Sequence, residues 1–150
     1  MASAEETVRQ FWKCMEEEGS PTAFKKFLHP DIVKEDSGLG KTIGLEMALV
    51  GLDVYLEVFK RPYVKAEIRN LAVNGNTVLL ERTEHNINRE TGDVYTGDLM
   101  AVMVVDKDGK ITRWADYYDP TPYKYGKAMP RSESVGKLIK MWNAVNRKKG

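Results

Sequence analysis

One cysteine and two histidines are all that 150 residues contain of those types. With Cys14 alone, no disulfide can close within the chain, so a reducing compartment is the expected setting. His29 and His85 are too few, and not at metal spacing, to build a zinc site. No apolar run approaches the length of a membrane-spanning helix. The start, Met-Ala-Ser-Ala-Glu-Glu, is acidic and lacks the apolar core of a signal peptide. An excess of one charge is missing too. Lys and Arg number 23 against 22 Asp and Glu, a net charge of +1. That balance gives no electrostatic reason to expect nucleic acid or an anionic membrane as partner. The run Asn146-Arg147-Lys148-Lys149 is basic but short, and reads as a solvated helix end. There is no glycine-rich phosphate loop, so nucleotide binding is not indicated. No repeat, low-complexity tract or interdomain linker is visible. The expectation is a cytoplasmic, soluble chain forming one domain over residues 1–150, with no metal and no cofactor.

Hydrophobic residues make up 42% and charged residues 30%, a globular balance with enough apolar surface for a core. The first half reads as helical. Ser3 with Glu6 three positions on is a capping-box pattern. Val8, Phe11, Trp12 and Met15 follow at helical spacing, with Cys14 among them as a core filler. Gly19-Ser20-Pro21 stops this helix. A short second one is expected over Thr22–Leu28, ended by Pro30. Asp31–Asp36 reads as a short strand, Ser37–Gly40 as a flexible loop, and Leu45–Phe59 as a third helix.

The second half reads as β. Strands are expected at Tyr63–Ala72, Thr77–Asn88, Val94–Val105 and Ile111–Asp119. Asn74-Gly75 is a two-residue hairpin turn. Glu90–Asp93 and Asp106–Gly109 are longer loops with glycine where φ is positive. Short connections imply an antiparallel meander. A last amphipathic helix is expected near Ser134–Asn146. Helices followed by a long sheet define an α+β fold: a cone-shaped, curved antiparallel sheet with three N-terminal helices and a C-terminal helix, able to enclose an apolar pocket.

Strand alternation sorts the ionisable groups. One face of the second strand carries Val78, Leu80, Arg82, Glu84 and Asn86, and the other Leu79, Glu81, Thr83 and His85. One face of the last strand carries Thr112, Trp114, Asp116 and Tyr118, and the other Ile111, Arg113, Ala115 and Tyr117. Charge on an otherwise apolar and aromatic face requires pairing. Arg82 can bridge Glu84 and Asp116 with its planar fork. Two readings stand at this point. One is a solvated cross-strand ion pair. The other is a dry carboxylate–arginine–carboxylate triad able to hold one carboxyl protonated and one ionised, as concerted acid–base chemistry requires.

The stretch Glu81-Arg82-Thr83-Glu84 and the run Gly109-Lys110-Ile111-Thr112-Arg113-Trp114-Ala115-Asp116-Tyr117-Tyr118-Asp119 resemble the limonene epoxide hydrolase family. With the element order, the resemblance covers roughly residues 5–120, and it places the fold in the nuclear transport factor two superfamily, beside SnoaL-type cyclases and ketosteroid isomerases. It implies roles. Asp116 is the base that activates water, Arg82 the link between carboxylates, and Glu84 the acid, longer than the family's Asp. The family's water-holding Tyr and Asn fall at Lys34 and Asp36, a departure that adds an ion pair to the site. Trp114, Tyr118, Leu80 and Trp12 are expected to meet the substrate. The resemblance also implies a homodimer through the outer face of the sheet.

Lys34-Glu35-Asp36 is similar as well to the stretch that carries the proton-shuttling Asp of ketosteroid isomerases. Their oxyanion-hole positions fall near Trp12 and Ala101, which do not match, so an ordinary steroid isomerase is not expected. Asp98 is a candidate fourth pocket carboxylate. His29 is a candidate for the pocket mouth, and His85 a surface residue. Epoxide hydrolysis of a small apolar, terpenoid- or polyketide-like substrate is the first expectation. An isomerase, cyclase or dehydratase using Asp36 and Asp116 is the second, and a non-catalytic small-molecule binding module the third.

Overall fold

The structure is a computed structural model that describes residues 2–37, 40–58, 62–118 and 124–125. The helix expected near Ser134–Asn146 lies outside the described residues. The chain opens with α1 (Ala4–Glu17) and α2 (Ser20–Phe27), then β1 (Leu28–Asp36), β2 (Gly40–Ile43) and α3 (Leu45–Val58). It continues with β3 (Tyr63–Asn74), β4 (Thr77–Ile87), β5 (Val94–Val105), β6 (Ile111–Tyr117) and the two-residue β7 (Lys124–Tyr125).

Ser3 caps α1 as the pattern demands. Its hydroxyl accepts from the Glu6 N–H at 3.1 Å, and the Glu6 carboxylate accepts from the Ser3 N–H at 2.8 Å. Each side chain thus satisfies a backbone donor that the first turn leaves without a partner. Val8 and Phe11 are fully buried, and Trp12 and Met15 nearly so. Gly19-Ser20-Pro21 does more than stop α1. Gly19 sits at φ +90° and caps α2, with Pro21 in its first turn, where the missing N–H costs nothing. The second helix therefore starts two residues earlier than expected and ends before Pro30.

The sheet runs β2-β1-β6-β5-β4-β3, with β7 added to β5 beyond the end of β6. It is curved and does not close on itself. The expected meander is there: β3, β4, β5 and β6 pair antiparallel in sequence order. One expectation needs correction. The sheet is mixed, because β1 lies parallel to β6, with Lys34 opposite Trp114 and Asp36 opposite Asp116. The segment after Asp36, expected as a loop only, turns at Ser37 and returns as β2, antiparallel to β1. All three helices pack on one face of the sheet.

The alternation of β4 is as expected, with Val78, Leu80 and Arg82 inward and Leu79 exposed. On β6 it breaks once. Ile111 pairs with Val105 and Arg113 with Val104, so Thr112 is the extra residue of a β-bulge. The bulge lets Ile111 and Trp114 both face the core, against the strict alternation that put them on opposite faces.

Candidate functional site

Seven aromatic and apolar side chains close one end of the inner face. Phe11, Trp12, Phe24, Phe27 and Trp114 meet mostly edge to face, with ring centroids 5.1–6.4 Å apart, over Val78 and Leu80. The charged row lies directly beside this cluster. It follows from register: Leu80, Ala101, Asp116 and Asp36 stand side by side across β4, β5, β6 and β1. Arg82 stands next to Leu99, and Glu84 next to Gly97.

Arg82 is fully buried, the largest side chain to be so among the described residues. Its Nη1 and Nη2 each donate to one oxygen of Asp116 at 2.9 Å, a two-point fork. Its Nε donates to Glu84 Oε1 at 2.8 Å, and Nη2 approaches the same oxygen at 2.7 Å. The guanidinium lies over the Trp12 ring, 4.3 Å from its centroid, a cation–π contact that substitutes for hydration on one side. Burial pulls the Arg82 pKa down. The charges and hydrogen bonds of Asp116 and Glu84 outweigh that and hold it above the ordinary guanidinium value. Arg82 is therefore a fixed cation at every accessible pH.

The two carboxylates are treated differently. Asp116, also buried, accepts a third hydrogen bond from Trp114 Nε1 at 2.7 Å. Its Oδ1 is thus filled twice and its Oδ2 once. Glu84 uses only Oε1, and its Oε2 has no hydrogen bond among the described residues. Glu84 is also the more open of the two, its side chain 15% exposed against 7%. The dry triad, not the solvated ion pair, is the arrangement that forms.

Two more polar pairs flank it. The Tyr118 hydroxyl donates to Asp36 Oδ1 at 2.6 Å. Ser37 fixes the backbone there, accepting from the Tyr118 N–H, donating to the Tyr118 carbonyl, and donating its own N–H to the Asp116 carbonyl. On the Glu84 side the Tyr55 hydroxyl, reaching down from α3, donates to Asn86 Oδ1. Lys34 rests its ammonium over the Trp114 ring at 4.7 Å.

Sequence reasoning named Asp116, Arg82, Glu84, Asp36, Lys34, Trp114 and Tyr118, and the structure gathers them on one face. Of the four residues expected to meet substrate, Leu80, Trp12 and Trp114 are closed in by the core. Tyr118 lies on the half-buried side with Glu84, Asp36 and Tyr55. Trp12 Nε1 is buried without a hydrogen-bond partner among the described residues. Asp98 is not part of the group. It projects from the outer face, 68% exposed, where it accepts from Thr83 and Arg69. His85 is also on that face, against Thr96. His29 accepts from the Asp31 N–H within its own turn. Burial and the neighbouring Glu18 carboxylate push the Cys14 thiol up, which keeps it a protonated core group. Tyr55 and Asn86 were missed. Tyr55 falls inside the helix expected at Leu45–Phe59, and a hydroxyl at a helical core position is the one signal available for it.

An α+β cone with a buried charged triad on the inner face of its sheet defines the class. The sequence model of the SnoaL-like domain matches residues 8–114, and the chain belongs to that family. An LEH-like epoxide hydrolase from M. tuberculosis superposes with a TM-score of 0.66 at 22% identity, over 95% of this chain and 91% of that one. TerC, co-crystallised with polyporic acid, gives 0.65 at 16% identity, over 93% and 99%. A protein from Jannaschia sp. CCS1 described as a SnoaL-like polyketide cyclase gives 0.63 at 16% identity, over 77% and 85%. No curated protein matches the chain by sequence. No helix among the described residues is long and apolar enough to cross a membrane.

Proposed function

We propose that the protein is an enzyme that opens a small, largely apolar epoxide with water, using side chains alone. The observation that carries this reading is Arg82 held between two carboxylates of unequal environment. Two carboxyl groups against one guanidinium have room for one shared proton. Glu84, with Oε2 available, carries it; Asp116, filled by three donors, stays ionised. A water on the remaining lone pair of Asp116 Oδ2 gives that oxygen a proton as its own oxygen attacks an epoxide carbon. The C–O bond breaks, and the leaving oxygen takes the Glu84 proton. The product is a vicinal diol, and one proton passing from Asp116 back to Glu84 restores the enzyme. Resemblance to an LEH-like hydrolase supports the same assignment at the level of fold.

The Asp36–Tyr118 hydrogen bond favours one second reading. A carboxylate beside Asp116 that already holds a phenol can shuttle a proton between carbons, as an isomerase, cyclase or dehydratase needs. The two readings part at Asp36→Asn. A hydrolase keeps its activity, because the amide oxygen still accepts from water and from Tyr118. A proton shuttle is lost, because an amide takes up no proton. The direct test is turnover of cyclohexene oxide and 1-methylcyclohexene oxide in ¹⁸O-water. Label in the diol, lost in Asp116→Asn, is the expected result. A wild-type protein that opens neither epoxide and incorporates no label rules the hydrolase out.

A further inference from the structure

Lys34 is the half-buried cation that the described residues leave without a counter-ion. It stands on β1 directly opposite Trp114 of β6 and Thr42 of β2, and so shares their face of the sheet. Its ammonium lies over the Trp114 ring, 4.7 Å from the centroid. Among the described residues, the other lysines and arginines that are not exposed each hold an oxygen. Arg82 has Glu84 and Asp116, Arg113 has Glu35, and Lys110 has the Lys26 carbonyl. The Lys34 ammonium has the ring, and makes neither an ion pair nor a hydrogen bond with any of these residues. The ion pair that Lys34 and Asp36 suggest by sequence does not form. Asp36, two residues on along the same face, accepts from the Tyr118 hydroxyl. Glu35 is on the opposite face, where it accepts from Arg113.

Withdrawing an ammonium from water costs free energy unless an acceptor meets it. The Trp114 face offsets part of that cost, and does so without engaging the three N–H donors. We infer that Lys34 anchors a carboxylate carried by the substrate, so that the substrate class is an organic acid with an apolar body. Thr42 is buried beside it, and its hydroxyl has no hydrogen bond among the described residues. Directly paired residues have Cβ atoms about 5 Å apart, so the hydroxyl stands where it can donate to the second carboxylate oxygen. One ammonium and one hydroxyl suit a monoanion with two oxygens. A phosphate dianion calls for more donors, and Asp36 and Asp116 oppose a second negative charge. Trp114 also sets the distance to the chemistry. Lys34 covers its face while its Nε1 donates to Asp116. Two residues along a strand is about 7 Å, so carboxylate and reacting carbon lie a few bonds apart in one small molecule. This inference rests on the reading of this face as the substrate site. It holds whether the reaction there is hydrolysis or proton transfer.

The test reads binding and needs no turnover. Cyclohexanecarboxylate and cyclohexanecarboxamide, alike in shape and different in charge, are titrated by NMR against the full chain at neutral pH and low salt. Wild type is expected to bind the carboxylate about tenfold or more tighter than the amide, the margin of a charge-assisted hydrogen bond over a neutral one. The Trp114 indole N–H should shift in step with the carboxylate titration, which locates the ligand on this face. Added salt should narrow the margin. Lys34→Met keeps the stem on the ring and removes the charge. It should abolish the margin and leave the amide within about twofold. Lys34→Gln carries the same test if Lys34→Met fails to fold. Lys34→Arg should retain most of the margin, since the charge is kept. Thr42→Val should weaken the carboxylate by about threefold through the lost hydroxyl. A wild type that binds both probes alike, or neither, overturns the inference. So does an uncharged variant that still prefers the carboxylate, or one that loses both probes in parallel. The outcome is separable from the reaction. Label in the diol of a neutral epoxide with no preference for the carboxylate keeps the hydrolase and removes the anchor. A preference for the carboxylate in a protein that opens no epoxide keeps the anchor and removes the hydrolase.

Discussion

Arg82 is the residue on which the site depends, and its burial sets the terms. Moving an ion into the interior costs several kcal/mol even after relaxation, and attraction to a partner repays this only when every donor is satisfied. Arg82 meets that condition with Nε, Nη1 and Nη2 all engaged and a ring beneath the plane. Lysine cannot reproduce it, since one ammonium has no fork to span both oxygens of Asp116 while also reaching Glu84. Arg82→Lys is expected to destabilise by about 3–5 kcal/mol, the range for breaking a buried ion pair. Urea denaturation with unchanged m-value measures it. Turnover should fall together with stability, and a stable, active lysine variant would show that the fork is not needed. Glu84→Gln is the milder probe. It keeps an acceptor for Nε and removes the acid, so stability should change little while the rate drops by about 10²–10⁴, the usual share of a general acid.

At the scale of the element, α1 shows how far local sequence reaches. Its capping box is complete within four residues, Ser3 to Glu6, and for that reason the sequence alone makes it legible. Ser3→Ala removes one of the two reciprocal bonds and should cost about 1 kcal/mol, read as a lower urea midpoint with the site intact. Hairpin turns, the inward face of β4 and that of β6 from Trp114 on are legible on the same ground, since they depend on residues near in sequence. What escapes depends on distant partners. Pro30 argues against a strand, yet β1 begins at Leu28. Its register shifts between Leu28 and Val33, so the missing N–H of Pro30 falls where no ladder bond is made. β2 is four residues with only Thr42 buried, too short for a periodic signal. The bulge at Thr112 re-aims Ile111, and alternation has no means of foreseeing an inserted residue. Of the site, the triad can be read from two strands of clear alternation. Tyr55 on Asn86 and the stacking of Trp12 under Arg82 cannot, because each contact needs a helix face to meet a strand distant in sequence.

At the scale of the whole molecule, the sheet has a second face. Leu79, Met100 and Tyr117 are 43%, 51% and 49% exposed, and single exposed apolar residues call for no explanation. These are neighbours, however. Met100 and Tyr117 are directly paired, and Leu79 lies one row away beside Val102. If the dimer implied by the resemblance forms through this face, a charge at its centre should break it. Met100→Glu is expected to shift sedimentation velocity from dimer to monomer at micromolar concentration while the melting curve keeps its shape. A wild type that sediments as a monomer removes the dimer altogether.

The parallel pairing of β1 with β6 has a consequence for how the molecule comes into being. Asp36 and Tyr118 are 82 residues apart in the chain, and Ser37 and Tyr118 81. The β3–β6 meander can grow by adding each strand to the one just made, and it already contains Arg82, Glu84 and Asp116. β1 can join only after that meander has presented β6, and its contacts are the ones that bear the largest loop-closure entropy. During refolding the triad is therefore born before the Asp36–Tyr118 side of the site, and nascent chains released short of residue 111 carry β1 paired with β2 alone, its β6 side unfilled.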